Sequence, residues 1–293
     1  GYEMHNPWEN AANTATKSGL KYSGWEMRNA HLPSDIEAQH SETAFLTNRA
    51  MEYISTRNKN TPWCLHLSYF NPHWPLLAPS PYHKMYKDSD VIGVVKDKIE
   101  MKNPHPVFSA FQQLEYSRNY TDEEKRRHVI PTYMGLISEI DHHIGRLIKF
   151  LDENNLSRNT LIIFTSDHGD YLGDHWLGEK DLFHEPSIRI PLIIVEPEMP
   201  ENLRGSSENR MIESVDVVPT LVETMGGSYA SNRMEGRSLV PLLFGDNPTW
   251  RDTVFAEIDY SDRGARQILD HHPYKCRGYM IKNTQWKYIY WEG

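Results

Sequence analysis

Cysteine is nearly missing from this chain. Only Cys64 and Cys276 occur in 293 residues. Two thiols cannot build a disulfide framework, and neither sits in a Cys-x-x-Cys pair, so a disulfide-stapled scaffold and a cysteine-cage metal site are excluded. The scarcity fits a reducing compartment; a cytoplasmic location is favoured, with periplasmic or secreted placement left open. A basic excess is missing too. The 31 Lys and Arg are outnumbered by 40 Asp and Glu, for a net charge of −9. That balance argues against a nucleic-acid partner. The nearest basic run, Glu123 to Arg127, is balanced by its own acids and reads as a solvated helix start. No apolar stretch approaches the roughly 18 residues of a membrane span. Internal repeats and low-complexity tracts are absent as well. No initiator Met or signal peptide opens the chain, and WKYIYWEG closes it just after a strand-like run. We therefore expect a piece of a longer chain. Asn119-Tyr-Thr121 matches a glycosylation acceptor, a triplet common by chance.

What is present suits a large α/β protein. Hydrophobic residues make up 39% and charged residues 24%, which is ordinary for a globular chain with a buried core. Residues 1–40 lack periodicity and predict a loop-rich lead-in. Residues 41–56 predict a helix capped by Ser41. TPWCLHLSYF (61–70) is strand-like and is stopped by Asn-Pro-His-Trp-Pro. Residues 78–118 read as a long excursion of loop and short helices. Thr121-Asp-Glu-Glu124 has the form of a capping box. Ile137, Ile140, Ile144, Ile148 and Leu151 follow at helical spacing, predicting a helix over 121–153. His142 and His143 sit in this helix about 100° apart, so they read as solvated or edge-of-core residues rather than joint ligands.

Leu161–Thr165 and Ile190–Val195 are short apolar runs separated by helical stretches. They predict strands of a mostly parallel central sheet covered by helices on both faces. A further helix opens at Ser214 and ends at Gly226-Gly227. From Thr253 the pattern alternates and turns like antiparallel strands. The expected organisation is an α/β domain over 1–245 and the start of a small C-terminal antiparallel subdomain over 246–293.

The chemistry gathers at strand ends, where open α/β sheets bind ligands. Asp167 and His168 lie two and three residues past Thr165, and Gly169 follows. A carboxylate and an imidazole together suit a divalent cation, and a strand-end Asp can equally cap a turn. Lys180, further along, could clamp an anionic oxygen. His73, beyond the 61–70 run, could donate a hydrogen bond or act as general acid. Asp174 and His175 read as loop-shaping. His184 and Glu185 should tie the loop to the sheet, and Arg189 should form a structural ion pair.

Several segments together resemble one family. Ser166-Asp-His-Gly169, Leu172-Gly-Asp174, Glu179-Lys-Asp-Leu-Phe-His-Glu185 and Arg189-Ile-Pro-Leu-Ile-Ile resemble the sulfatase and phosphonate monoester hydrolase family of the alkaline phosphatase superfamily. WCLHLSYFNPHWPLLAPSPY (63–82), YMGLISEIDHHIGRLIKFL (133–151), VDVVPTL (215–221) and GRSLVPLL (236–243) agree in order and spacing. The resemblance covers nearly the whole chain from about residue 30.

It implies a metal-dependent hydrolase of small anionic esters: sulfate esters, phosphonate monoesters or phosphodiesters. One divalent cation is implied, Mn²⁺ or Ca²⁺ foremost, with Asp167 and His168 as ligands. Lys180 matches the lysine that contacts substrate oxygen and leaving group, and His73 the histidine on the transferred group. The family nucleophile is formylglycine, made within Cys-x-Pro-x-Arg. That motif is missing from these 293 residues, as are the family's early acidic ligands. The expectation is that both lie upstream, and that residues 1–293 alone are inactive. A non-catalytic homologue that binds anions, or a two-zinc phosphatase of the same superfamily, are the alternatives. Homo-oligomerisation is left open.

Overall fold

The computed structural model describes residues 26–58, 61–230 and 232–293. Most of the expected 1–40 lead-in therefore lies outside the described residues. The helices are α1 (Glu42–Ser55), α2 (Pro106–Gln112), α3 (Glu115–Asn119), α4 (Glu123–Glu153), α5 (Glu185–Ile188), α6 (Val217–Thr224), α7 (Val240–Leu243) and α8 (Gly264–Leu269). The strands are β1 (Ile162–Thr165), β2 (Leu192–Val195), β3 (Val254–Asp259), β4 (Arg277–Lys282) and β5 (Lys287–Trp291). The described residues form two compact units. One holds those up to Lys96 with Arg118–Leu156 and Leu172–Trp176; the other holds Asp97–Ser117, Ser157–Tyr171 and Leu177–Gly293.

The first unit is built on α1 and α4. Ser41 caps α1 as expected, its hydroxyl accepting from Ala44 N at 3.1 Å. The cap of α4 is Asp122, not Thr121: the Asp122 carboxylate accepts from the amides of Glu124 and Lys125. A carboxylate there also meets the positive end of the helix dipole. The buried face of α4 carries Val129, Gly135, Leu136, Glu139, Ile140, His143 and Leu151. Ile137 and Ile148, two of the residues expected in the core, are exposed. The reason is steric. Gly135 lies against the Tyr82 carbonyl so closely that a Cβ would overlap it, which turns the glycine side of the helix inward. Leu136 then packs with Trp74, Leu76 and Tyr82. Full burial of one such leucine is worth about 1.5–3 kcal/mol.

The run 61–70 forms no strand among the described residues, which corrects that expectation. Its exposure still alternates from Trp63 to Ser68. Alternation alone does not make a strand, because a ladder needs a hydrogen-bonding neighbour.

In the second unit, β1 and β2 pair antiparallel, Ile162 opposite Val195 and Thr165 opposite Leu192. This antiparallel pair departs from the mostly parallel strand direction expected within the α/β fold. Continuous apolar sequence reports burial on two faces and carries no strand direction. The C-terminal strands form the expected antiparallel sheet in the order β3-β4-β5. Gly278 on β4 lets the Trp291 ring lie flat over the backbone, since a Cβ there would overlap it. Trp291 continues onto Phe183 and Tyr260, with ring centres 5.6 and 6.0 Å away. Asp216 is fully buried and accepts from the amides of Glu213 and Arg237 and from Arg251 Nη2. This pins the helical stretch from Ser214 to the segment leading into β3.

Candidate active site

β1 ends at Thr165, whose hydroxyl donates to the Pro191 carbonyl at 2.9 Å. The chain turns there, and Ser166 Oγ donates to the His168 carbonyl. Asp167 is exposed, and its Oδ1 accepts from His168 N at 3.0 Å. His168 Nδ1 lies 2.8 Å from the Gly169 carbonyl oxygen. A carbonyl can only accept, so Nδ1 carries the proton in the neutral ring and Nε2 carries the lone pair. That Nε2 stands 3.5 Å from Asp167 Oδ2. Two electron-rich atoms at this distance repel unless a cation or a proton is shared between them. The donor chemistry fits a divalent cation of mixed O/N preference. Among the described residues no group of three or more His, Cys, Asp or Glu is assembled for a metal, so the pair amounts to part of a coordination shell.

Lys180 is joined to this turn through backbone. Gly169 N donates to Ser187 O at 2.8 Å, and Tyr171 N donates to Glu179 O at 2.9 Å. Ser187 Oγ donates in turn to the Lys180 carbonyl. The Lys180 side chain is half-buried, with Nζ 3.2 Å from Glu179 Oε2. Asp167, His168 and Lys180 all line one open groove of about 1540 Å³, together with Glu185, Arg189 and Arg210.

The loop carrying Lys180 is anchored at its far end as expected. Lys282 Nζ on β4 reaches both Glu185 oxygens at 2.7 and 2.8 Å, and Lys287 Nζ on β5 reaches Oε1 at 2.8 Å. Burial pushes the Glu185 carboxyl up, but the two lysine hydrogen bonds outweigh it and hold its pKa below the usual carboxylate value. His184 contributes differently. Its amide donates to the buried Tyr171 hydroxyl at 3.2 Å, and that hydroxyl lies 2.8 Å from His184 Nδ1. Burial raises the Tyr171 pKa, keeping the phenol protonated. Arg189 is exposed and makes no ion pair among the described residues, contrary to expectation. The strand that follows, β2, starts at Leu192.

His73 belongs to the first unit, and Asp167, His168 and Lys180 belong to the second. Its Nδ1 lies 3.1 Å from the Trp74 carbonyl, and its ring centre is 5.0 Å from Phe70. The loop is held by Asn71, whose Nδ2 donates to Thr43 Oγ1 at 3.0 Å and Glu139 Oε2 at 3.3 Å. Asp174 and His175 also belong to the first unit. Asp174 Oδ1 accepts from Val95 N at 2.8 Å, and His175 N donates to Val95 O at 2.7 Å. They shape the loop, as the sequence suggested.

Three supports were not legible beforehand: Tyr171 beneath the loop, Ser187 on the Lys180 carbonyl, and Tyr116 on Asp181. Tyr116 Oη donates to Asp181 Oδ2 at 2.8 Å, and Arg263 Nε lies 3.0 Å from Asp181 Oδ1. Tyr116 stands 65 residues from Asp181 and leaves no local signal; Tyr171 and Ser187 lie only 13 and 7 residues from their partners, and a Tyr or Ser beside a functional loop is a reasonable place to look.

The sulfatase family model matches residues 2–228 of this chain. The chain belongs to the sulfatase family. The C-terminal model of N-sulphoglucosamine sulphohydrolase also matches this sulfatase-family chain, over residues 173–292. A multifunctional alkaline phosphatase superfamily protein, PehA, of Trinickia caryophylli is 38% identical over 281 residues, 88% of this chain and 53% of that relative. An arylsulfatase of Clostridium perfringens is 29% identical over 252 residues, 86% of this chain and 51% of the relative. Among solved structures, the phosphonate monoester hydrolase of Silicibacter pomeroyi superimposes with a TM-score of 0.82 at 26% identity, covering 99% of this chain and 61% of that one. This sulfatase-family chain therefore has the alkaline phosphatase-like α/β fold. It spans about half the length of the curated relatives it matches.

Proposed function

We propose that this chain is part of a hydrolase of small anionic esters, acting on sulfate esters or on phosphonate monoesters and phosphodiesters. The observation that carries the reading is the Asp167–His168 pair. An imidazole lone pair and a carboxylate oxygen face each other at 3.5 Å at the end of β1, with Lys180 held to the same turn through Ser187.

Asp167 Oδ2 and His168 Nε2 would hold one divalent cation. When bound, such an ion polarises an ester oxyanion and lowers the pKa of the attacking group. The protein's own contributions are clear without it. The Gly169 carbonyl fixes the His168 tautomer. Ser187 and Glu185 fix the Lys180 loop, and the Lys180 ammonium supplies positive charge for a non-bridging or leaving-group oxygen. These 293 residues hold no Cys-x-Pro-x-Arg motif, so we expect no turnover from them alone.

The test is metal content and turnover of an aryl sulfate and a phenylphosphonate ester by the full-length protein. Asp167→Asn and His168→Ala should lose the metal, and His175→Ala should keep it. Lys180→Ala should keep the metal and lose turnover by about 10²-fold or more. Full metal in His168→Ala, or unchanged turnover in Lys180→Ala, would overturn the assignment.

A further inference from the structure

A second cluster of donors lies in the first unit. The turn at Ala38–His40, α1 and α4 enclose an open hollow of about 410 Å³. It is lined by His40, Asn48, Tyr82, His142, His143 and Arg146. Both histidines of α4 border this hollow, His142 exposed and His143 buried. A ligand between two elements can be flanked by neighbouring residues that do not point the same way.

Arg146 decides what the hollow suits. Its Nη2 donates to Asn48 Oδ1 at 2.8 Å, and its Nη1 lies 2.9 Å from His143 Nδ1. A guanidinium has only protons to give, so His143 Nδ1 must accept, and the ring is neutral with its proton on Nε2. Burial first, then the charges of Arg146 and His142, lower the His143 pKa to about 4, consistent with that neutral form. Both recorded partners of the guanidinium are therefore uncharged. No carboxylate stands within ion-pair distance of Arg146 among the described residues. Glu139, the fully buried acid on the same helix, bonds to Asn71 instead. A half-buried cation held in a fixed orientation by two neutral groups, with imidazole and amide donors around it, retains its positive charge for a ligand.

We propose that this hollow is a second anion site, holding a tetrahedral oxyanion such as sulfate or phosphate against the Arg146 fork. Arg suits the task because its planar donors pair with two oxygens at once. The same chemistry is offered by a free sulfate ion and by a sulfate ester group on a larger molecule. The site owes nothing to Asp167, His168 or Lys180, so it stands whether or not the hydrolase reading does.

The experiment is calorimetric titration of the full-length Lys180→Ala variant with sodium sulfate, and separately with methyl sulfate. Arg146→Ala in that background should weaken sulfate binding about tenfold or more, the loss of a charge-assisted contact. His142 is exposed, so His142→Ala leaves the fold intact and should weaken binding several-fold even if Arg146→Ala fails to fold. Tighter binding of sulfate assigns the site to the free ion, and tighter binding of methyl sulfate to an ester group. No binding in the Lys180→Ala background, or equal affinity with and without His142 and Arg146, overturns the proposal.

Discussion

Replacing Gly169 with alanine adds one methyl group, and the structure says where it must go. A Cβ at Gly169 would overlap the Pro186 carbonyl oxygen and crowd its carbon. These are backbone atoms, which cannot swing aside as a side chain can. The Gly169 N to Ser187 O hydrogen bond, 2.8 Å in length, sits at the same contact and would stretch. Losing it costs about 1 kcal/mol, and overpacking a fitted contact costs about 1–3 kcal/mol. The expected destabilisation is therefore about 2–4 kcal/mol. Ser187 also holds the Lys180 carbonyl, so the strain moves the functional lysine. A displacement near 1 Å should cost about 10²-fold in kcat/KM. Gly145 provides the control. It lies on α4, is exposed, and has nothing within 4 Å of a built Cβ. There the same substitution should stabilise by about 0.5–1 kcal/mol, because alanine gives up less backbone entropy in a helix. Urea unfolding of the full-length protein followed by circular dichroism reads both. Opposite signs are expected. A Gly169→Ala change within about 0.5 kcal/mol of the parent would refute the reasoning, since the carbonyl would then have moved freely.

Two further outcomes follow from charges. Asp216→Asn should lower stability by about 3–5 kcal/mol, because it strands the Arg251 guanidinium beside a fully buried neutral group; a loss under about 1 kcal/mol in the same urea assay would show that Glu213 alone satisfies the arginine. Glu185 sets an acid-side pH dependence. Its folded pKa is depressed, so its contribution is fully present above the ordinary glutamate value near about 4.3 and is lost as pH falls through the folded value. The pair is partly exposed, so the size of the effect is modest. Glu185→Gln should flatten the stability profile between about pH 5 and 3. An unchanged acid limb, measured by thermal unfolding across that range, would show that the lysines do not hold the carboxylate.

Some of this molecule could be read directly from residue order. Ser41 before an amphipathic run gave α1, and the apolar run before Ser166 gave β1 and its functional turn. These signals are local: a cap, a period and a strand end all act within a few residues. The inward face of α4 was misread because Gly135 lacks any hydrophobic signal, yet its missing side chain permits the close approach to Tyr82. The direction of β1 against β2 was misread because hydrophobicity has no sign along the chain. The ladder missing at 61–70 depends on a neighbour that alternation cannot supply. Asp167, His168 and Lys180 were legible as a pattern. Glu185 was legible too, as a tie from the loop to the sheet; the ties through Ser187 and Tyr171 depend on contacts that only the folded chain makes.

The Glu185 clamp has a consequence for how the protein is made. Its two lysines lie 97 and 102 residues downstream of the glutamate they hold. Long-range partners of this kind form late, after the closure entropy of a long loop has been met. On the ribosome, the loop bearing Lys180 emerges well before either lysine exists. A nascent chain arrested before Lys282 can carry every residue of the Asp-His-Lys set and still leave that loop without its anchors. β4 and β5 therefore control when the loop is secured: it acquires both anchors only in a chain translated through Lys287.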